Sequence, residues 1–213
     1  ETTRSTIVFT QDKPLITSAK VNPNGGRDYK TKYFGDIHYE LGGDYQDKNA
    51  NTVLTACMEL MNKNVIRDVD SVAKGFANVC ESTGLMGRWQ KLKDQPKVIC
   101  DTGHNVGGWQ YLAPQIAAQK CKTRRIVFGM VDDKDIDKVL SMMPRDAVFY
   151  WTQPSNKRAF PVEKVAEEAG KQGLSGRSFH SVKEAYNAAL EDSEPEDFIF
   201  VGGSSYVVAD LLS

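Results

Sequence analysis

Asp101, His104 and Asn105 fall within five residues, in the run Asp101-Thr102-Gly103-His104-Asn105-Val106-Gly107-Gly108 that follows the apolar stretch Val98-Ile99-Cys100. A carboxylate, an imidazole and an amide at a strand's carboxyl end, just before a helical pattern, can hold a ligand and manage its protons, because ligands of parallel α/β sheets bind there. Two further loops have comparable content. Gln153-Pro154-Ser155-Asn156-Lys157-Arg158 offers cations, and Gly202-Gly203-Ser204-Ser205 offers hydroxyls and a helix start whose backbone N–H groups suit a phosphate or carboxylate. Acid, imidazole, amide, cation and hydroxyl groups along one sheet edge suit anionic ligands. A helix-capping turn that happens to contain a histidine is the plain alternative for the first loop, and a purely conformational glycine turn for the third.

Other chemistries lack their parts. No Ser–His–Asp or Cys–His arrangement supports a nucleophile. One histidine and one aspartate three residues apart supply at most two metal ligands, where a structural zinc site takes four, so no metal site is expected. His38 falls on the polar face of an alternating strand with Asp36 and Glu40, and reads as solvated. His180 stands just before Ser181-Val182-Lys183-Glu184, a capping box, and reads as structural.

Alternation of elements must position the three loops. From residue 96 onward, strands read at 97–101, 125–130, 147–152, 177–179 and 197–201, with helices near 108–119, 135–143, 161–172, 182–191 and 204–212. That pattern means βαβ units and a mostly parallel sheet covered on both faces, a Rossmann-like α/β fold. Residues 1–48 read as β, with strand candidates at Ser5–Thr10 and Asp36–Leu41 and a turn at Asn22–Gly26. Helices follow, one through Val53, Leu54, Cys57, Leu60 and Met61 ending near Asn64, the other from Val69 to Cys80. Periodicity breaks at Ser82–Gln90, which sets a domain boundary near residue 84.

Composition excludes several classes. Among 213 residues, 27 basic and 28 acidic side chains nearly cancel, so nothing favours nucleic acid or an anionic membrane surface. No apolar run reaches the ~20 residues of a membrane span. Cys57, Cys80, Cys100 and Cys121 lie about twenty residues apart with no CxxC pair, which argues for a reducing, cytoplasmic setting rather than a disulfide frame. The start is abrupt and carries no secretory signal, as though the numbering begins inside a larger protein.

Five ordered motifs carry a resemblance. Gly87-Arg88-Trp89-Gln90 and Asp101-Thr102-Gly103-His104-Asn105 resemble the G-R-[FW]-Q and D-x-[AG]-H-N patterns of the folylpolyglutamate synthase/dihydrofolate synthase family, in the Mur ligase superfamily. Gly43-Asp44-Tyr45-Gln46-Asp47-Lys48-Asn49-Ala50 resembles the opening of the last long helix of that family's central domain. Gly129-Met130 with Asp133-Lys134-Asp135 resembles G-M-x-x-D-K-D, and Gly203-Ser204-Ser205-Tyr206 resembles the terminal G-S-x-Y. Gln46 after Gly43, and Trp89-Gln90 after Arg88, favour the folate branch over the cell-wall branch.

The resemblance implies an ATP-dependent ligase that phosphorylates a folate or dihydropteroate carboxylate and joins L-glutamate to the acyl phosphate. It implies a nucleotide contact from Asn49, Arg88 and Asp101, catalytic roles for Asp101 and His104, and substrate positioning by His104, Ser204 and Arg158. It also implies ATP and Mg2+ as cofactors and a cytoplasmic monomer. The family's phosphate loop ends in G-K-[ST], and no such tripeptide occurs in this sequence. The expectation is therefore a C-terminal portion, with the tail of the central ATPase domain at 1–83, the glutamate ligase domain at 84–213, metal ligands outside the chain, and no ligase activity of its own. A cell-wall Mur ligase and a non-catalytic α/β binding module are the alternatives.

Overall fold

The computed structural model describes residues 7–23, 25–131 and 135–213. The chain divides into two compact units, Glu1–Leu85 and Met86–Ser213.

In the first unit, β1 (Ile16–Val21), β2 (Arg27–Thr31) and β3 (Asp36–Tyr39) form an antiparallel sheet in that order. Asn22 and Gly26 close the first hairpin through Asn22 N–H to Gly26 O at 3.1 Å. The alternation of β3 buries Ile37 and Tyr39 and exposes Asp36 and His38. The buried set packs with Tyr29, Leu54, Val72 and Phe76, the ring of Tyr39 lying 4.8 Å from that of Phe76. On the outer face His38 Nδ1 lies 2.7 Å from Asp28 Oδ1, and that hydrogen bond holds the Asp28 carboxyl below its ordinary range.

Helix α1 (Gln46–Asn62) gives way at Asn64, which adopts a left-handed φ of 59°. The second helical pattern is interrupted. Asn78 turns its Nδ2 onto Lys74 O at 2.8 Å and leaves helical geometry, dividing the segment into α2 (Val69–Ala77) and α3 (Val79–Thr83). Asparagine side chains compete with the backbone for carbonyls in this way. The strand expected at Ser5–Thr10 is corrected. Ser5 and Thr6 lie outside the described residues, while Ile7–Phe9 have no regular structure and Thr10 starts a turn. Ile7 is 73% exposed, so the short apolar run there has no core to face.

The second unit holds a six-stranded sheet in the order β4 (Gln90–Lys93), β5 (Lys97–Asp101), β9 (Phe198–Gly202), β6 (Arg124–Phe128), β7 (Ala147–Thr152), β8 (Gly176–Phe179). All neighbours run parallel except β4, which pairs antiparallel with β5. The expected strands and helices of this region are all present, and β4 is an addition. Its Gln-Lys-Leu-Lys is too short and too polar to stand out, and it exists because β5 offers an edge.

Helices α4 (Val106–Ala117), α5 (Ile136–Ser141) and α6 (Val162–Lys171) pack in series, and α7 (Val182–Glu191) packs on α8 (Ser205–Leu212). Alternation divides the strands between two cores. Val98, Cys100, Val127, Tyr150, Ile199 and Val201 meet α7 and α8. On the other face Trp109 of α4 stands edge-on to Phe128 and Phe200 at 5.6 and 5.8 Å. Burial of apolar side chains on both faces is what a parallel sheet requires. The four cysteines are free thiols, and burial together with the nearby Asp101 pushes Cys100 up to about 12. No helix among the described residues is long and apolar enough to cross a membrane.

Candidate active site at the carboxyl edge of the sheet

β5 and β6 are joined through α4 yet are separated in the sheet by β9. Such a reversal of strand order opens a crevice at the carboxyl ends of the strands. The loops from β5, β9, β6 and β7 all emerge at that edge, so the three loops expected to carry chemistry share it.

Asp101 ends β5 and is fully buried, at 0% exposure. Its Oδ2 accepts the backbone N–H of Trp89 at 2.7 Å and its Oδ1 that of Gly103 at 2.8 Å. The carboxylate thus ties the turn before β4 to the loop after β5. Trp89 holds a left-handed φ of 52°, rare for a bulky residue, and the tie supports it. Gln90 Oε1 accepts Gly87 N–H at 2.8 Å and closes the same turn. A Cβ on Gly87 would meet Thr102 Cγ2 at 2.7 Å and Val208 Cγ1 at 2.8 Å, with φ already at +71°, so only glycine fits there.

Arg88 emerges from this turn half-exposed, and its Nη1 donates to Thr102 Oγ1 at 2.5 Å. His104 lies exposed on the loop, and its Nδ1 sits 3.2 Å from Thr102 O. A carbonyl only accepts, so Nδ1 carries the proton and Nε2 of the neutral ring is left with the lone pair. Asn105 is a helix cap, as the plain alternative has it, its Oδ1 accepting Gly108 N–H at 2.8 Å. Capping accounts for Asn105 and leaves Arg88 and His104 unexplained.

Asp101 pairs across the sheet with Gly202, and Gly202 with Phe128. Cβ atoms added here would collide with backbone: at Gly202 with Asp101 O at 2.5 Å, at Gly203 with Gly129 O at 2.3 Å, and at Gly129 with Thr152 O at 2.6 Å. The three glycines, all buried, therefore let neighbouring backbones pack directly against one another at the middle of this edge. Ser204 follows as the cap of α8. It is 1% exposed, and its Oγ accepts Val207 N–H at 3.1 Å.

Arg158 lies two strands further along, exposed, on the loop leaving β7. That loop folds back over the end of β6, with Phe160 N–H donating to Met130 O at 2.9 Å. Asp133 and Lys134, in the motif after Gly129-Met130, lie outside the described residues. Asn49 belongs to the first unit, in the first turn of α1, where its Nδ2 donates to Gln46 Oε1 at 3.0 Å. The loop opening α1 is held by Arg27, whose guanidinium meets Asp47 at 2.6 Å and Asp44 at 2.7 Å. Arg27 and Thr102 had no signal in the sequence, since each matters through a partner far along the chain. Among the described residues no group of three or more His, Cys, Asp or Glu side chains could hold a metal ion.

Sheet order and edge loops together define a Mur-ligase-type C-terminal domain. The chain belongs to the Mur ligase family through its glutamate ligase domain, whose family model matches residues 87–205. It is 32% identical to the dihydrofolate synthase/folylpolyglutamate synthase of Escherichia coli strain K12 over 169 residues, which cover 77% of this chain and 37% of that protein. It is 31% identical to the enzyme of the same name from Mycobacterium tuberculosis, over 65% of this chain and 28% of that one. The solved structure of E. coli FolC in complex with DHPP and ADP superposes with a TM-score of 0.69 at 27% identity, covering 91% of this chain and 44% of the other. The chain thus spans less than half the length of these relatives.

Proposed function

We propose that this chain is the C-terminal part of an ATP-dependent ligase that joins L-glutamate to the carboxylate of a folate or dihydropteroate through an acyl phosphate. One observation carries the reading: Arg88 and His104 stand together on Thr102 beside a glycine-lined edge, within the span matched by the glutamate ligase family model. The names of the relatives support folate as the acceptor. In this reading residues 1–83 are the tail of the central ATPase domain and 84–213 the glutamate ligase domain, and the protein works as a cytoplasmic monomer.

The half-exposed Arg88 guanidinium fits a phosphate, whereas the described residues offer no group of three or more ligands for a metal. The nucleotide supplies the phosphoryl group that activates the acceptor carboxylate, and Mg2+ is assigned to ligands outside this chain. Arg88 faces the developing phosphate charge, as phosphoryl transfer requires of its surroundings. His104 Nε2 accepts a hydrogen bond from the incoming glutamate ammonium and takes one proton to free the amine lone pair; the amine then attacks the acyl carbon, the C–O bond to phosphate breaks, and the second proton leaves with the departing phosphate. Asp101 acts from behind, holding both loops at one spacing, which matters because misplacement by an ångström is costly in such reactions. Ser204 sets the start of α8 against the glutamate, Arg158 opposes a glutamate carboxylate, and Asn49, in the first turn of α1, is a nucleotide contact.

The test measures ATP-dependent incorporation of labelled glutamate by the ligase that contains this chain, with dihydropteroate, tetrahydrofolate or a nucleotide-linked sugar peptide as acceptor. Incorporation into a pterin-bearing acceptor is expected, with losses of about 10²-fold or more for Arg88→Ala and His104→Ala. Transfer only to the sugar peptide, or full turnover in both variants, would overturn the reading. The isolated 213-residue chain is expected to be inactive.

A further inference from the structure

Thr102 occupies the unassigned position of the Asp-x-Gly-His-Asn run and is almost as buried as Asp101 beside it, with only 9% of its surface exposed. All of its polar atoms are engaged with the residues around it. Its N–H donates to Gly87 O at 2.8 Å, its Oγ1 accepts Arg88 Nη1 at 2.5 Å, and its carbonyl accepts His104 Nδ1 at 3.2 Å. Its Cγ2 lies 2.7 Å from the point a Cβ on Gly87 would occupy, so the methyl fills the space that glycine leaves.

We propose that Thr102 is a positioning residue that aims Arg88 at the nucleotide and sets it in fixed relation to His104, which rests on the reading that Arg88 meets a phosphate. A half-exposed arginine samples many rotamers, and a ligand that needs one of them must stop the rest. A β-branched side chain is stiff at χ1, so at the end of a buried strand its oxygen is a fixed acceptor. The bond engages Nη1 and leaves Nε and Nη2 to form the two-pronged contact that a guanidinium makes with an oxyanion. The backbone carbonyl of the same residue fixes the tautomer of His104. One residue thereby determines where the cation is and which histidine nitrogen holds the lone pair.

The two functions separate by substitution. Thr102→Val keeps the shape and the backbone carbonyl and removes only the acceptor for Arg88. Thr102→Ser keeps the acceptor. In the ligase containing this chain, Thr102→Val is expected to weaken equilibrium binding of a non-hydrolysable ATP analogue, and to raise KM for ATP, by about tenfold, the scale of one hydrogen bond to a charged group. KM for glutamate should be unchanged, and Thr102→Ser should bind within about twofold of wild type. In an Arg88→Ala background Thr102→Val should add nothing, because its effect passes through the missing side chain. Thr102→Ala provides the same comparison should the valine variant not fold, and the Arg88 side-chain 15N resonances should shift in either. Wild-type analogue binding by Arg88→Ala would overturn the underlying reading of the site. Weakened binding by Arg88→Ala with wild-type binding by Thr102→Val, or an equal effect of Thr102→Val with and without Arg88, would overturn the role of Thr102.

Discussion

The buried carboxylate of Asp101 accepts the backbone N–H of Trp89 at 2.7 Å across a gap of 12 residues in sequence. The bond joins the turn before the antiparallel edge strand β4 to the end of β5, at the point where the two loops of the site begin. Replacing the acid by its amide would present an NH2 donor to one of two backbone N–H groups. Asp101→Asn is therefore expected to destabilise the second unit by about 2 kcal/mol, the cost of a buried donor left unpaired. Urea unfolding followed by Trp89 and Trp109 fluorescence measures it.

The row of glycines leads to a second expectation. Gly129→Ala places a methyl 2.6 Å from Thr152 O, and Gly203→Ala places one 2.3 Å from Gly129 O on a backbone at φ +107°. Neither neighbour is a flexible side-chain end, so the strands must separate. Each substitution should cost about 2 kcal/mol or more, whereas Gly170→Ala, with open space around its Cβ, should be neutral or stabilising. Thermal unfolding of the three variants orders them.

Ser204 can be tested for stability and for its effect on glutamate separately. Ser204→Ala should lower stability by about 1 kcal/mol through loss of the bond to Val207 N–H, while Ser204→Gly should cost only a few tenths. If the capping hydroxyl sets the start of α8 against glutamate, both variants raise KM for glutamate alike; if it serves stability alone, the glycine variant keeps a wild-type KM. The proposal for this residue expects the first result.

Asp197 sets a pH dependence. It is 3% exposed, and burial alone would raise its carboxyl. The backbone N–H groups of Glu194 and Thr123 and the Arg125 guanidinium at 3.0 Å outweigh that and hold it below its ordinary range. A depressed carboxyl stabilises the fold at pH above its unfolded value, near 4, and this stabilisation is lost as pH falls through the folded value. Asp197→Asn should therefore be less stable than wild type by about 3 kcal/mol at pH 7, with the gap narrowing below about pH 4. Chemical denaturation between pH 2.5 and 7 provides the comparison.

Much of the second unit was legible because its central strands are apolar runs and α4, α7 and α8 begin with recognisable caps. Ser181 does accept Glu184 N–H, at 3.2 Å, as the capping box expects. Gln90–Lys93 was not legible, since an edge strand of alternating lysines takes its structure from a neighbour. The break at Asn78 depended on one side chain choosing a carbonyl. At the site, residue types and spacing singled out Asp101 and His104 and the family motif singled out Arg88, whereas the contacts of Thr102 depend on Gly87, fifteen residues earlier, lacking a side chain. The outer pair Asp28–His38 agrees with the solvated reading of that histidine, being 41% exposed on the imidazole.

β9 lies between β5 and β6, although it follows every other strand in the sequence. Until residues 198–202 arrive, β5 and β6 each present an open hydrogen-bonding edge flanked by apolar side chains, a template for pairing with other chains. Formation of the sheet is then a late, long-range event in which one strand inserts between two others, and topologies of that kind fold slowly. During synthesis the unit would pass through a stage that is rich in helices and β-hairpin-like pieces but has no centre, the stage at which chaperones would have most to protect.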